Sequence, residues 1–353
     1  MKTQNISLSN KDKLSLLSNL STMLSAGMPL LETVNALLED SKGSQKKLLE
    51  TLRDDLAQGK HIYFTFSKFP NIFSQVTVNL IKASEESGTL DTSLKDIKEN
   101  MKKDMEFTDK IKSAMIYPLF VVFVFFAVLL MILIVVVPKI ATVFSRLNVV
   151  LPLPTKILIF MSNALVHNTI PVIIGTAIFI VVGYFLYKKQ KKWFLSLFLM
   201  IPILSSLARD IDLTIFSRSL YLLLNAGIPI STALALTEDV VFNKDVALGI
   251  RYTKELVMGG RKVAEGFKDR KIVFPSIMVR ITEAGERSGS LDKSMQEISE
   301  FLDYQVSGKL KTVIALLEPI LLVVMGGMVG GMMLSIIAPI YGLIGQVGPA
   351  AGR

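Results

Sequence analysis

Residues 115–137 run for 23 positions without a charge and are dominated by Val, Leu, Ile and Phe. At ~1.5 Å per residue, such a run crosses the hydrocarbon core of a bilayer as a helix, because lipid offers its backbone no hydrogen-bond partners. Two further apolar runs follow, residues 170–187 and residues 313–340, the latter interrupted by the single acid Glu318. Three transmembrane helices are therefore expected, and they account for the positive mean hydropathy of +0.49.

The polar sequence before the first and third runs is duplicated. Glu85-Glu86-Ser87-Gly88-Thr89-Leu90-Asp91 is answered by Glu286-Arg287-Ser288-Gly289-Ser290-Leu291-Asp292, a shift of 201. Gly59-Lys60 and Gly260-Arg261, Phe73 and Phe274, Pro118 and Pro319, and Pro138 and Pro339 keep the same shift. Ala26-Gly27-Met28-Pro29 and Ala226-Gly227-Ile228-Pro229 differ by 200. An ordered series of this length is a duplication, and each copy is a polar module followed by a membrane anchor.

Both modules read as helical. Leu14, Leu17, Leu20, Met23 and Leu24 recur at three- and four-residue spacing, as do Leu220, Leu223 and Leu224. Gly27 and Gly227 suit left-handed caps, and Pro29 and Pro229 start the next helix. Gly59 and Gly259-Gly260 mark further breaks, and Gly88 and Gly289 are expected caps before long polar helices at 90–112 and 291–311. The expected fold is an all-α membrane protein with two homologous cytoplasmic helical-bundle domains, about six helices each, and three transmembrane helices. Its segments are residues 1–112 (cytoplasmic), 115–138 (span), 139–169 (short extracytoplasmic connection, with a short helix at 141–147), 170–187 (span), 188–312 (cytoplasmic), 313–340 (span) and 341–353 (extracytoplasmic tail). An interfacial helix interrupted by Pro202 is expected at 195–207, and residues 342–353 are expected to lack structure.

Residues 1–13 hold no apolar core before a cleavage site, so the first module is expected to stay in the cytoplasm. Lys102, Lys103, Lys110 and Lys112 precede the first run, Lys188, Lys189, Lys191 and Lys192 follow the second, and Lys309 and Lys311 precede the third. Basic flanks face the cytoplasm, which places the N-terminus inside and the C-terminus outside. The net charge of +9 sits mainly beside the membrane, since no acid occurs between Asp109 and Asp210. Its expected partner is anionic lipid and not nucleic acid, for which no recognition motif is present. The absence of cysteine excludes disulfides and thiolate chemistry.

No phosphate loop, His-Glu-x-x-His, Cys pair or Gly-x-Ser-x-Gly elbow is present. His61 and His167 are the two histidines, on opposite sides of the expected membrane. No catalytic, cofactor-binding or metal site is expected, and the chain is not read as an enzyme. The candidate partner or inter-domain contacts are Gly27, Pro29, Glu85, Gly88, Asp91, Gly227, Pro229, Glu286, Gly289 and Asp292. The repeated acids fit three roles: capping and hydrogen bonding within the module, contact with a partner, or metal binding. In the membrane, Gly326, Gly327, Gly330 and Gly331 form two overlapping Gly-x-x-x-Gly spacings suited to close helix packing. Glu318 is an acid inside an apolar run, a functional candidate unless it reaches water. Pro118 and Pro319 fall where module meets span and are candidate bends.

Phe216-Ser217-Arg218-Ser219-Leu220, Leu224-Asn225-Ala226-Gly227-Ile228-Pro229, Glu283-Ala284-Gly285-Glu286-Arg287-Ser288-Gly289-Ser290-Leu291-Asp292 and Leu317-Glu318-Pro319 together resemble the type II secretion F family. The resemblance covers residues 14–341. It implies a non-enzymatic platform in the bacterial inner membrane for type IV pilus or type II secretion machines. It also implies a homo-oligomer that contacts a hexameric assembly ATPase, pilin or pseudopilin transmembrane segments and other inner-membrane assembly proteins. The first repeat departs from the family pattern at Ala83-Ser84, where Gly is commoner before the acid. The rival classes are a membrane transporter subunit and a membrane-bound signalling scaffold. Few intramembrane polar groups speak against the former.

Overall fold

The computed structural model describes residues 6–146, 152–167 and 202–347. The expected second span (170–187), the lysine cluster behind it, most of the expected interfacial helix and residues 348–353 lie outside the described residues. All regular elements among the described residues are helical. The first repeat forms α1 (Asn10–Ser25), α2 (Leu30–Glu39), α3 (Gly43–Ala57), α4 (Ile62–Ser67), α5 (Gln75–Ser87) and α6 (Leu90–Met131). A π-helical segment, Ile132–Val136, then leads into α7 (Val137–Arg146) and α8 (Leu153–His167). The second repeat forms α9 (Pro202–Asn225), α10 (Ile230–Glu238), α11 (Lys244–Met258), α12 (Val263–Asp269), α13 (Ser276–Ser288) and α14 (Leu291–Val347).

The chain divides into two compact units. The first joins residues 1–111 to 205–309 and so contains both polar modules. Its helices begin where the sequence supplies caps. Ser9 Oγ accepts from the Asp12 amide (3.2 Å), Ser74 Oγ from the Thr77 amide (3.2 Å) and Asn243 Oδ1 from the Asp245 amide (2.8 Å). Pro29 and Pro229 stand as the residues before α2 and α10, with φ of −57° and −55° fixed by their rings. The leucine spacing of α1 buries Leu16, Leu17 and Leu20, and α9 likewise buries Phe216, Leu220 and Leu223. Buried side chains of both repeats form one continuous core. Each repeat centres on an aromatic pair. Phe66 stacks on Phe73 with ring centroids 3.8 Å apart, and Phe267 on Phe274 at 4.3 Å. Each of these rings contributes about 1.5–3 kcal/mol by burial, and each pair about 0.5–1.5 kcal/mol more.

The second unit comprises residues 112–204 and 310–353. Two described helical stretches are long and apolar enough to cross a membrane. They are Leu90–Arg146, whose best window has a mean hydropathy of 3.6, and Leu291–Ser335, at 2.2. Their apolar side chains face outward, Leu119 at 72% and Val323 at 75% exposure, as a lipid-facing surface requires. The connection is more helical than expected. The short helix expected at 141–147 is instead the end of one continuous helix that runs from α6 through the π-helical segment to Arg146. An unforeseen second helix, α8, follows. The α8 side chains satisfy backbone groups. Ser162 Oγ donates to the Leu133 carbonyl (2.7 Å), which lies in the π-helical segment, and Thr155 Oγ1 donates to the Ser335 carbonyl. A π turn disturbs the i→i−4 ladder, and Ser162 supplies a donor there. The tail expected to lack structure is corrected in part, since α14 extends to Val347 over residues 342–347. Apolar residues between the tail glycines prolong the helix past the expected end of the span.

Candidate functional site

The repeated Ser-Gly-x-Leu-Asp phrase forms the same joint in both copies. Gly88 (φ 73°) and Gly289 (φ 70°) end α5 and α13 in the left-handed conformation, which any side chain would strain. The Thr89 amide donates back to the Ser84 carbonyl (2.8 Å), and the Ser290 amide to Gly285 (2.9 Å). Asp91 and Asp292 fall in the first turns of α6 and α14, where the helix dipole favours a carboxylate. The glutamates turn elsewhere. Glu85 accepts from the amides of Ile62 (3.0 Å) and Tyr63 (3.4 Å), at the start of α4. Glu286 accepts from Val263 (2.7 Å) and Ala264 (3.1 Å), at the start of α12. The residues that precede these two helices, His61 and Lys262, make no side-chain cap, so each glutamate supplies the cap from another helix. His61 Nδ1 also lies 3.2 Å from Glu85.

Ser84 and Gly285, equivalent at a shift of 201, meet different surroundings. In the second repeat, a Cβ on Gly285 would meet Ser294 Oγ at 2.1 Å, so α13 and α14 approach too closely for a side chain. In the first repeat, Ser84 is buried and its hydroxyl donates to the Ile81 carbonyl (3.0 Å).

Within the first unit, a charged cleft lies between the repeats, lined by the polar stretches of α6 and α14 and by α9. Arg218 is the central cation, with its side chain 9% exposed. Its guanidinium pairs with Asp104, lies 3.8 Å from Asp303 and sits 5.8 Å from the Phe107 ring centroid. Lys103 pairs with Glu300 and Lys110 with Asp303, each at 3.5 Å, and Asn225 Nδ2 donates to Asp96 (3.2 Å). A cavity of about 320 Å³ is lined by Asp96, Glu99, Lys103, Arg218, Tyr221 and Asp303, among others. A second, of about 350 Å³, brings Ser87 and Thr89 of the first repeated phrase against Asn225, Ala226 and Gly227 of the second repeat's turn.

Electrostatics follow from this crowding. Burial pushes the Asp96 carboxyl up, and Glu99 adds to the rise. Burial also raises Asp104, although Arg218 opposes it. Tyr221 is raised by burial and by Asp96, Asp292, Glu300 and Glu99 around it. Among the described residues, no three His, Asp or Glu side chains are arranged to hold a metal ion.

The structure thus brings Gly227 beside the first repeated phrase, while Glu85 and Glu286 serve their own modules. Gly27 and Pro29 shape the α1–α2 turn, where the Gly27 amide donates to Leu24 (2.9 Å). Glu318 and Pro319 are exposed on α14, and Pro118 lies inside α6. A Cβ on Gly326, Gly327, Gly330 or Gly331 would meet no atom within 4 Å. Sequence reasoning passed over Arg218, Asp104 and Asp303. The available signal was an arginine on α9 among Phe216, Leu220 and Leu223, where burial demands a counter-charge.

A family model described as type II secretion system (T2SS), protein F matches residues 16–138 and 216–339, one match on each repeat. The chain belongs to this family. Among relatives of the protein F family, the type IV pilus assembly protein PilC of Myxococcus xanthus is 28% identical over 341 residues, covering 96% of this chain and 81% of the relative. PilC of Thermus thermophilus is 31% identical over 333 residues (93% and 81%). The type II secretion system protein F of Aeromonas hydrophila is 25% identical over 335 residues (93% and 85%). Each family match begins in a polar module and ends in its apolar helix, so the protein F unit coincides with the duplication.

Proposed function

We propose that this protein is an inner-membrane platform for assembly of a type IV pilus or a type II secretion pseudopilus. The observation that carries the reading is the paired match to the protein F family, supported by relatives named for both machines. The chain spans the membrane three times, at 115–138, 170–187 and 313–340, with the N-terminus cytoplasmic and the C-terminus outside. Both polar modules then lie on the cytoplasmic side, within reach of a hexameric assembly ATPase. Pilin segments are handled within the bilayer. The glycines at 326, 327, 330 and 331 leave a surface open to a second copy or another helix, and Pro118 and Pro319 each remove a backbone hydrogen bond and allow bending.

In this mechanism the ion pairs of the inter-repeat cleft join two modules that respond to the ATPase together. Site-specific cross-linkers placed on each module in living cells are expected to capture the ATPase, and deletion of both modules is expected to abolish pili or secretion. Normal assembly by the deletion strain would refute the platform reading.

A further inference from the structure

We propose that α8 is a clasp inside the bilayer: its Ser162 and Thr155 hydroxyls replace the backbone donors that Pro138 and Pro339 lack, and so tie the first and third spans together. The two prolines are equivalent at a shift of 201, and neither has an N–H to give the preceding turn. In the π-helical segment a carbonyl accepts from the amide five residues on, as Ile132 does from Val137. In that register the donor due to Leu133 is residue 138, a proline. In α14 the register is four residues, so the donor due to Ser335 is residue 339, again a proline.

The hydroxyls of α8 arrive at these two carbonyls. Ser162 Oγ donates to Leu133 (2.7 Å), and Thr155 Oγ1 donates to Ser335. At a shift of 201 Ser335 corresponds to Ile134, and the longer π register moves the orphaned carbonyl one residue back, to Leu133. The two contacts are therefore the same repair, made once in each repeat.

Thr155 and Ser162 stand seven residues apart, about two turns, so they share one face of α8, and both are buried. Val137, Ile140, Leu158 and Ile159 close around Thr155 and Ser335. Both carbonyls lie within apolar runs, where a bilayer supplies no water to replace a lost hydroxyl. α8 thus reaches hydrocarbon depth and is more than part of an extracytoplasmic connection. With the outer prolines clasped, bending is left to Pro118 and Pro319. The inference rests on reading 115–138 and 313–340 as spans, and it adds a device to the platform reading.

A double-mutant cycle in the full-length protein tests the repair. Ser162→Ala is expected to shorten the half-life of unfolding in detergent by about fivefold, but by less than about twofold in a Pro138→Ala chain, whose restored amide supplies the donor. Thr155→Val and Pro339→Ala are expected to behave in the same way, whereas the crossed pairs act independently. Equal losses with and without the prolines would overturn the proposal. A second measurement reads the tie between spans. The chain contains no cysteine, so Met131→Cys and Met333→Cys, both exposed, can carry spin labels. In nanodiscs, diluted with unlabelled protein, the distance between the labels is expected to be narrowly distributed and to broaden when Thr155→Val and Ser162→Ala are combined. The pair Thr155→Ser and Ser162→Thr keeps both hydroxyls and is expected to stay narrow. No broadening in the first pair, or equal broadening in both, would overturn the clasp. No pilus or secretion component is present, so failure here leaves the platform reading untouched.

Discussion

Glu286→Ala tests the cross-helix cap most directly. The carboxylate holds the Val263 and Ala264 amides at 2.7 and 3.1 Å, and Lys262 offers that helix no substitute. Truncation leaves two part-buried donors without their acceptor. Loss of a capping side chain costs about 0.5–2 kcal/mol, and loss of the charge at a helix N-terminus about 0.3–1 kcal/mol more. A sum of about 2 kcal/mol corresponds to roughly thirtyfold in the opening equilibrium of α12. Hydrogen exchange on peptides spanning residues 259–270 reads this as faster exchange at those two amides. Glu286→Gln retains one acceptor oxygen without the charge and is expected to lose about half as much. Unchanged exchange in Glu286→Ala would refute the cap. If export failed while exchange stayed normal, the acid would belong to a partner contact.

Arg218→Met leaves Asp104 without its cation and Asp303 with Lys110 alone. Breaking a buried pair costs about 3–5 kcal/mol, reduced here to about 2 kcal/mol because Asp104 is half exposed, and Asp104→Asn in the same chain should recover part of the lost thermal stability. Asp55 is buried among Lys60 (3.0 Å), Thr65 (2.9 Å) and Lys68. Burial pushes its carboxyl up, but hydrogen bonds from Lys68, Lys60 and Thr65 outweigh that and hold it below the ordinary value. A depressed carboxyl stabilises the fold above the unfolded value and loses that contribution as pH falls through the folded one. Asp55→Asn should therefore lower stability at neutral pH and flatten the acid limb below about pH 4, as read by denaturation against pH. Ser162→Ala removes the donor to the Leu133 carbonyl and is expected to cost about 1 kcal/mol of thermal stability in detergent.

The helical class and the repeat were legible because periodic leucines, glycine caps and uncharged runs are local signals. Phe73 and Phe274 advertised the aromatic pairs in part, but their partners Phe66 and Phe267 needed the fold to place them. The glutamates were legible as repeated acids and illegible as caps. Their acceptor role depends on an approach between α5 and α4, or α13 and α12, that no spacing encodes. Arg218 was harder still, because Asp104 and Asp303 come from different repeats. The difference between Ser84 and Gly285 became intelligible only beside the close approach of Gly285 to Ser294.

The cross-helix caps also bear on the order in which the protein is made. Each closes over 23 residues, whereas the Arg218–Asp104 contact spans 114 and Lys103–Glu300 spans 197. Short closures cost little entropy and form early, and chains emerge from the ribosome N-terminus first. The first module can therefore complete its own caps before residues 115–137 have been translated and handed to the insertion machinery. The ionic seam between modules must wait until residue 300 exists. Biogenesis thus begins with local closures inside the first module, whereas the ionic seam and the core that both repeats share are completed only after the second module has emerged.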